Sequence, residues 1–341
     1  MCGTPSAIAR RRRWWSRVRA EAMSELHKFV FEGQPVRGML VRLDEGWQEL
    51  LRRRAEMASF APEVRTLLGE MTAAAVLMQA NIKFKGALVL QVFGDGPVKL
   101  AVAEVQPELT FRATATVVGE VAAGADLSAL LDVHGQGRCA ITLDPKDRLP
   151  GQQPYQGIVP LRGPDGARLP GVAPMLEHYM RQSEQLQTRL VLAADERVAA
   201  GLLLQHLPAQ GQGNLAGLAA QAAEAEAGEA FARIAMLAAT LTREELLGLD
   251  VATVLHRLFW QERLRRFEPL LPRFACNCSR ERVRGMLRGL GREESEGLIA
   301  ERGLVEVGCE FCGARYRFDA VDVGEMFTPG RNQPPTSRSV Q

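Results

Sequence analysis

Four cysteines near the C-terminus constrain this chain more than any other feature. Cys276-Asn277-Cys278 and Cys309-Glu310-Phe311-Cys312 are separated by the 30 residues 279–308. Four thiolates complete the tetrahedral shell that a structural Zn²⁺ prefers and leave no open position for a substrate. Oxidised, the same thiols can close as two short local disulfides. The site is a candidate both for holding structure and for sensing oxidant, and the spacing leaves both uses open.

The residues around the cysteines need such a staple. Residues 276–320 number 45, close to the size below which a domain seldom folds on its core alone. Ser279 is placed to N-cap a helix with the apolar face Val283, Met286, Leu287 and Leu290, ending at Gly289–Gly291. A second short helix, Glu293 to Glu301, stops at Gly303. Leu304 to Val307 then reads as a strand entering the Cys309–Cys312 knuckle, with Tyr316 and Phe318 on the return strand. One metal bound by both pairs would tie the helix start to the hairpin, and structural zinc contributes on the order of 10–16 kcal/mol in finger-sized peptides. An ordinary zinc ribbon has Cys-x-x-Cys at both ends. Here the first pair is Cys-x-Cys, and a disulfide between its members needs the chain to bend sharply around Asn277. Strained, exposed disulfides are the labile, regulatory kind.

At 341 residues and 46% hydrophobic content, the chain is long enough for two or three domains with a sizeable core. No apolar run approaches the ~18 residues that span a bilayer, so no membrane role is expected. Of the six cysteines, four are bunched in one corner, which argues against a secreted disulfide framework and for a reducing cytoplasm. Cys139, in Arg138-Cys139-Ala140-Ile141, reads as a small hydrophobe in a strand, and Cys2 lies in a tail. The formal charge of +2 is unevenly spread. Residues 1–22 carry six arginines against one acid, Glu21, and read as a disordered basic leader without the apolar core of a signal peptide.

From 23 to 210 strand and helix signals are mixed. Val36 to Leu43 reads as a strand; Val64, Leu67, Leu68, Met71, Ala75 and Met78 recur at helical spacing. Gly86–Phe93 and Val98–Val105 flank Gly94-Asp95-Gly96-Pro97, a hairpin signature in which the glycines are expected to take positive φ. That turn lacks the spacing of a phosphate loop. Further strands are expected at 111–118, 137–143, 155–161, 188–193 and 198–206, with a helix near 172–182. Strands mostly follow one another directly, so the fold class is α+β with a mixed-sheet core rather than doubly wound. Gly211 to Gly228 opens a linker, 211–275, expected to be helical to about Arg266. Thr242-Arg243-Glu244-Glu245 is a capping box within it, and Pro269 and Pro272 break the chain before the cysteines. The chain thus divides into a leader (1–22), a core (23–210), a helical linker (211–275), a zinc module (276–320) and a tail (321–341).

At the cysteines the sequence resembles a known family. Phe274-Ala275-Cys276-Asn277-Cys278-Ser279-Arg280-Glu281-Arg282-Val283, with Val307-Gly308-Cys309-Glu310-Phe311-Cys312 and Tyr316-Arg317-Phe318, is similar to the redox-regulated heat-shock protein 33 chaperones. The likeness extends through Val36-Arg37-Gly38, Lys83-Phe84-Lys85-Gly86, Gln91 to Pro97, Tyr155-Gln156-Gly157 and Ser183-Glu184-Gln185-Leu186, covering roughly 23–325. The resemblance implies an ATP-independent holdase and no enzyme. One Zn²⁺ per chain, held by Cys276, Cys278, Cys309 and Cys312, keeps the reduced protein folded and inactive. Oxidation pairs Cys276 with Cys278 and Cys309 with Cys312, releases zinc, and unfolds the module and linker. The protein then dimerises and binds unfolding client proteins. Two features depart from the family pattern: the basic leader, and the Gly/Ala-rich insertion at 211–228.

Two other readings were open from the residues alone. Between His256 and Arg292 there are ten arginines against three glutamates, so a zinc-dependent module binding nucleic acid through 257–292 is the alternative partner class. A thiol oxidoreductase built on Cys309 and Cys312 would need a thioredoxin-like βαβ context, which the sequence lacks. No nucleophile–base constellation is visible, and His27, His134, His178, His206 and His256 are scattered.

Overall fold

The structure, a computed structural model, describes residues 23–147, 153–207 and 218–328, the side chains of 218–224 excepted. The basic leader, residues 211–217 of the insertion and the tail beyond 328 lie outside the described residues. The chain divides into two compact units, one ending at Ala275 and one beginning at Cys276.

The first unit starts with β1 (Glu25–Phe31), β2 (Val36–Leu43), α1 (Glu45–Ala55) and α2 (Pro62–Asn81). There follow β3 (Gly86–Phe93), β4 (Val98–Val105), β5 (Thr110–Val117), α3 (Leu127–Leu131), β6 (Arg138–Pro145) and β7 (Tyr155–Pro160). Next come α4 (Val172–Ser183), β8 (Thr188–Ala194) and β9 (Ala199–His206), then the helices α5 (Leu218–Ala239), α6 (Arg243–Gly248) and α7 (Val251–Phe259). Two short strands, β10 (Leu264–Arg266) and β11 (Arg273–Phe274), close the unit.

The strands form an antiparallel five-stranded sheet, β10-β1-β2-β9-β8, and a mixed six-stranded sheet, β11-β5-β4-β3-β6-β7, in which β11 runs parallel to β5. The α+β class with a mixed sheet read from the sequence is the fold observed. Helix α2 lies between the two sheets and touches strands of both. It is buried nearly all round, from Val64 through Gln79, which is why its apolar residues exceed a single stripe. The five-stranded sheet is also apolar on its other face. Phe29, Phe31, Val36, Leu40, Leu202 and Leu204 there pack against Phe231, Ile234, Leu255 and Phe259 of the helices α5–α7. Strand β9 is consequently buried along its whole length.

Several sequence expectations need physical revision. The Gly94–Pro97 hairpin forms, but neither Gly94 nor Gly96 has positive φ. Glycine is required by crowding instead: a Cβ at Gly94 would sit 2.2 Å from the carbonyl oxygen of Val98, and one at Gly96 2.5 Å from that of Leu130. Helical structure ends at Phe259, not near Arg266, because residues 264–266 pair with the open edge of β1. The segment between the prolines is held by reciprocal backbone hydrogen bonds between Leu26 and Leu270, of 2.8 and 2.9 Å. Strand β1 itself, rich in charged residues and therefore weakly patterned, was not foreseen. The capping box forms as read: Glu245 N–H donates to Thr242 Oγ1 at 3.2 Å and Thr242 N–H to Glu245 Oε2 at 3.0 Å.

The second unit contains α8 (Arg280–Leu290), α9 (Arg292–Arg302), a hairpin of β12 (Val305–Gly308) and β13 (Arg315–Phe318), and α10 (Ala320–Met326). Ser279 caps α8 through Arg282 N–H at 3.2 Å. Gly291 and Gly303 take φ of +99° and +70° at the helix ends, where other residues would be strained. Helix α10 falls where a tail was expected. Its Val323 and Met326 join Leu287, Val305 and Phe318 as the buried core, so the unit extends past residue 320.

Candidate metal centre

Local structure brings the four cysteines together. Cys276 and Cys278 stand just before the capped start of α8, and Cys309 and Cys312 sit in the knuckle between β12 and β13. The knuckle is a tight turn: Gly313 N–H donates to Cys309 O at 2.8 Å, Cys309 N–H to Ala314 O at 2.8 Å, and Gly313 has φ of +73°. All four sulfurs lie within 4.8 Å of one another. Cys276 Sγ is 3.6 Å from Cys309 Sγ, and Cys278 Sγ is 3.3 Å from Cys312 Sγ. Four sulfurs at about 2.3 Å from a central tetrahedral ion would be about 3.8 Å apart, so the cluster has the dimensions of such a site.

The electrostatics agree with a cationic occupant. Four thiols this close cannot all ionise unaided. The hydrogen bond with Cys309 pulls the Cys276 thiol down to about 4, and the same bond drives Cys309 upward. Burial raises Cys312 to about 11. A divalent cation removes this conflict by stabilising every thiolate at once. Backbone amides already face the sulfurs: those of Phe311 and Cys312 towards Cys309, that of Ala314 towards Cys312, and that of Cys278 towards Cys276. Such outer hydrogen bonds orient the ligands of metal sites.

Two residues named in the sequence only by position prove to support the site. Tyr316 Oη donates to Cys278 Sγ at 3.1 Å, which raises its phenol well above the ordinary range. Arg280 clamps the unit: it donates to Arg317 O and to Asp322 Oδ2, both at 2.7 Å, and its guanidinium lies 4.3 Å from the Phe318 ring centroid. In the sequence Arg280 shows only as a motif residue next to the cap, because its partners are 37 and 42 residues away.

The other candidate residues are elsewhere. Cys139 is fully buried in β6, where burial raises its thiol to about 12. His27 pairs with Glu25 at 2.8 Å, while His178 is buried on helix α4 and His206 at the end of strand β9. The arginines of 257–292 are divided between the two units. Several are engaged with acids: Arg257 with Glu245, Arg280 with Asp322, Arg288 with Glu281 and Arg292 with Glu296. No described helix is long and apolar enough to cross a membrane.

Comparison with known proteins follows the same residues. A family model described as Hsp33 protein matches residues 24–319. A 33 kDa chaperonin of Chromobacterium violaceum is 46% identical over 303 residues, covering 89% of this chain and 93% of that protein. The 33 kDa chaperonin of Nitrosococcus oceani is 41% identical over 312 residues, covering 92% and 97%. The crystal structure of the 33 kDa chaperonin from Thermotoga maritima shares the fold, with a TM-score of 0.68 at 23% identity over 89% of this chain and 97% of that one.

Proposed function

This chain belongs to the Hsp33 family and is a chaperone rather than an enzyme; on that premise we propose that it is a redox-switched, ATP-independent holdase. In this reading the reduced protein holds one Zn²⁺ through Cys276, Cys278, Cys309 and Cys312 and is inactive. Oxidation in the cytoplasm forms Cys276–Cys278 and Cys309–Cys312 disulfides and releases the metal. The module and the linker at 211–275 unfold, and a homodimer binds unfolding clients through newly exposed apolar surface.

One observation carries the reading: four mutually close sulfurs sit in a unit whose apolar core, among the described residues, has five buried side chains. A core that small depends on its cross-link. Which disulfides form then decides what oxidation does. Either cross-pair, Cys276–Cys309 or Cys278–Cys312, would close a loop of over 30 residues and stabilise the unit by about 3–4 kcal/mol on chain-entropy grounds, the second adding less. Pairing between neighbours closes almost no loop and leaves the two halves untied. The neighbouring pairs implied by the family resemblance are therefore the ones that turn oxidation into unfolding, and every sulfur is near enough to every other for them to form.

The fold also offers a surface worth covering. Loss of α5–α7 would uncover Phe29, Phe31, Val36, Leu40, Leu202 and Leu204 on one sheet face. Exposed apolar area of that kind binds unfolded chains without sequence preference. The test is to oxidise the protein with peroxide under mild heating and measure zinc release, disulfide pairing by mass spectrometry, and suppression of a client's aggregation. We expect one zinc lost per chain, neighbour pairing, and suppression only after oxidation. Zinc loss without suppression would refute the proposal, as would suppression undiminished by reduction with zinc restored.

A further inference from the structure

The inner face of the five-stranded sheet is apolar where it meets α2: Leu26, Met39, Val41 and Leu203 all belong to the core between the sheets. The two-residue period of the strands places Lys28, Arg37 and Gln205 on that same face, at the end where α2 runs out. Cations on a core face cost free energy unless an anion meets them. Arg37 is half-buried, and its Nε and Nη2 both donate to Gln205 Oε1, which also accepts from Asn81 Nδ2 at 2.9 Å. Its Nη1 has no hydrogen-bond partner and no carboxylate pairs with it among the described residues. Lys28 donates to Ala80 O, and burial together with the Arg37 charge lowers its amine. Two cations thus repel each other here without an acid between them.

Beside Arg37 and Asn81 opens a cavity of about 130 Å³ between the two sheets, with walls from Leu88, Ile141, Leu143 and Leu203. Tyr155, Tyr179 and Glu184 also line it. The two phenols both donate to Glu184 Oε1, at 3.3 and 3.1 Å, and Glu184 makes no ion pair with Arg37. Three segments far apart in the chain, Val36-Arg37-Gly38, Tyr155-Gln156-Gly157 and Ser183 to Leu186, meet at this cavity.

We propose that this cavity is a binding site for a small apolar carboxylate, its ring or branched chain filling the apolar space and its carboxylate pairing with Arg37. A guanidinium with a free edge matches a carboxylate in shape and charge. The volume sets the size of the body, because an apolar cavity of about 150 Å³ is large enough for benzene. One ring or a branched chain of about five carbons matches that volume.

The site belongs to the first unit and stands apart from the redox reading, so either can fail alone. Benzoate and its neutral isostere benzamide are titrated into the reduced full-length protein by calorimetry. Benzoate is expected to bind saturably, one per chain, and at least about tenfold more tightly than benzamide, a factor of about 1.4 kcal/mol. In Arg37→Gln, benzoate should fall to the benzamide level while benzamide is unchanged, which shows the cavity intact. Leu143→Phe, which fills the cavity, should abolish both. Absence of saturable benzoate binding, or equal affinity for the two probes in the unsubstituted protein, would overturn the proposal, whether or not the variants fold.

Discussion

Withdrawing the metal from the reduced protein should unfold the second unit and leave the first intact. The magnitude follows from its core. Leu287, Val305, Phe318, Val323 and Met326 are the buried apolar side chains, and at about 1.5–3 kcal/mol each they supply roughly 8–15 kcal/mol before entropy is charged. Structural zinc supplies on the order of 10–16 kcal/mol, as much as the whole apolar term. A unit whose metal contributes as much as its whole apolar core cannot lose that metal and remain folded. With a tight chelator under reducing conditions, helices of 11, 11 and 7 residues should melt. That is roughly a quarter of the helical residues, so far-UV circular dichroism should fall by a similar fraction. Trypsin should then cut at the exposed Arg282 and Arg288 while the two-sheet core resists. Added Zn²⁺ should reverse both changes. Full helical signal and protease resistance in the chelated, reduced protein would refute the argument that the metal holds this unit.

Two further substitutions test the first unit. Arg42 Nη1 donates to Leu247 O at 2.7 Å and Leu249 O at 3.3 Å and its Nε pairs with Asp44 at 3.1 Å, so it ties α6 to β2. Arg42→Ala should cost about 2–4 kcal/mol of helix docking. Amide exchange across 243–259 should accelerate while β3–β5 exchange as before; unchanged exchange in α6 and α7 would count against that role. Glu70, on α2, is raised by burial to about 7 from 4.5, with Arg243 only partly opposing the shift. The folded state therefore keeps its proton to higher pH than the unfolded state does. Stability is full below about pH 4.5 and is lost as pH rises towards and through 7, by on the order of 3 kcal/mol. Glu70→Gln removes this dependence: urea midpoints of variant and parent should converge near pH 4.5 and separate at pH 8, the variant being the more stable. Parallel pH profiles would exclude it.

The second unit was legible because its signals are local. A cap at Ser279, glycines at the helix ends and paired cysteines two and three residues apart act within a turn or two of chain, and the four sulfurs converge as their spacing implied. The α+β class was legible for the same reason, since alternation and turn residues mark most strands directly. What the chain alone could not show is decided across long separations. Strands β10 and β11 are too short to carry a pattern and exist because β1 and β5 present open edges to them. Arg280 reads as a helix-start cation until the fold brings Phe318 and Asp322 to it. Arg37 reads as a strand residue until the meeting of two sheets leaves it beside an apolar cavity without an ion-pair partner among the described residues. Sequence determined where the capped helices begin and end and which four thiols come near one another, because those depend on neighbours in the chain. Tertiary structure decided which charges are left unpaired and which apolar face lies under the linker helices, because burial is set by residues more than a hundred positions away.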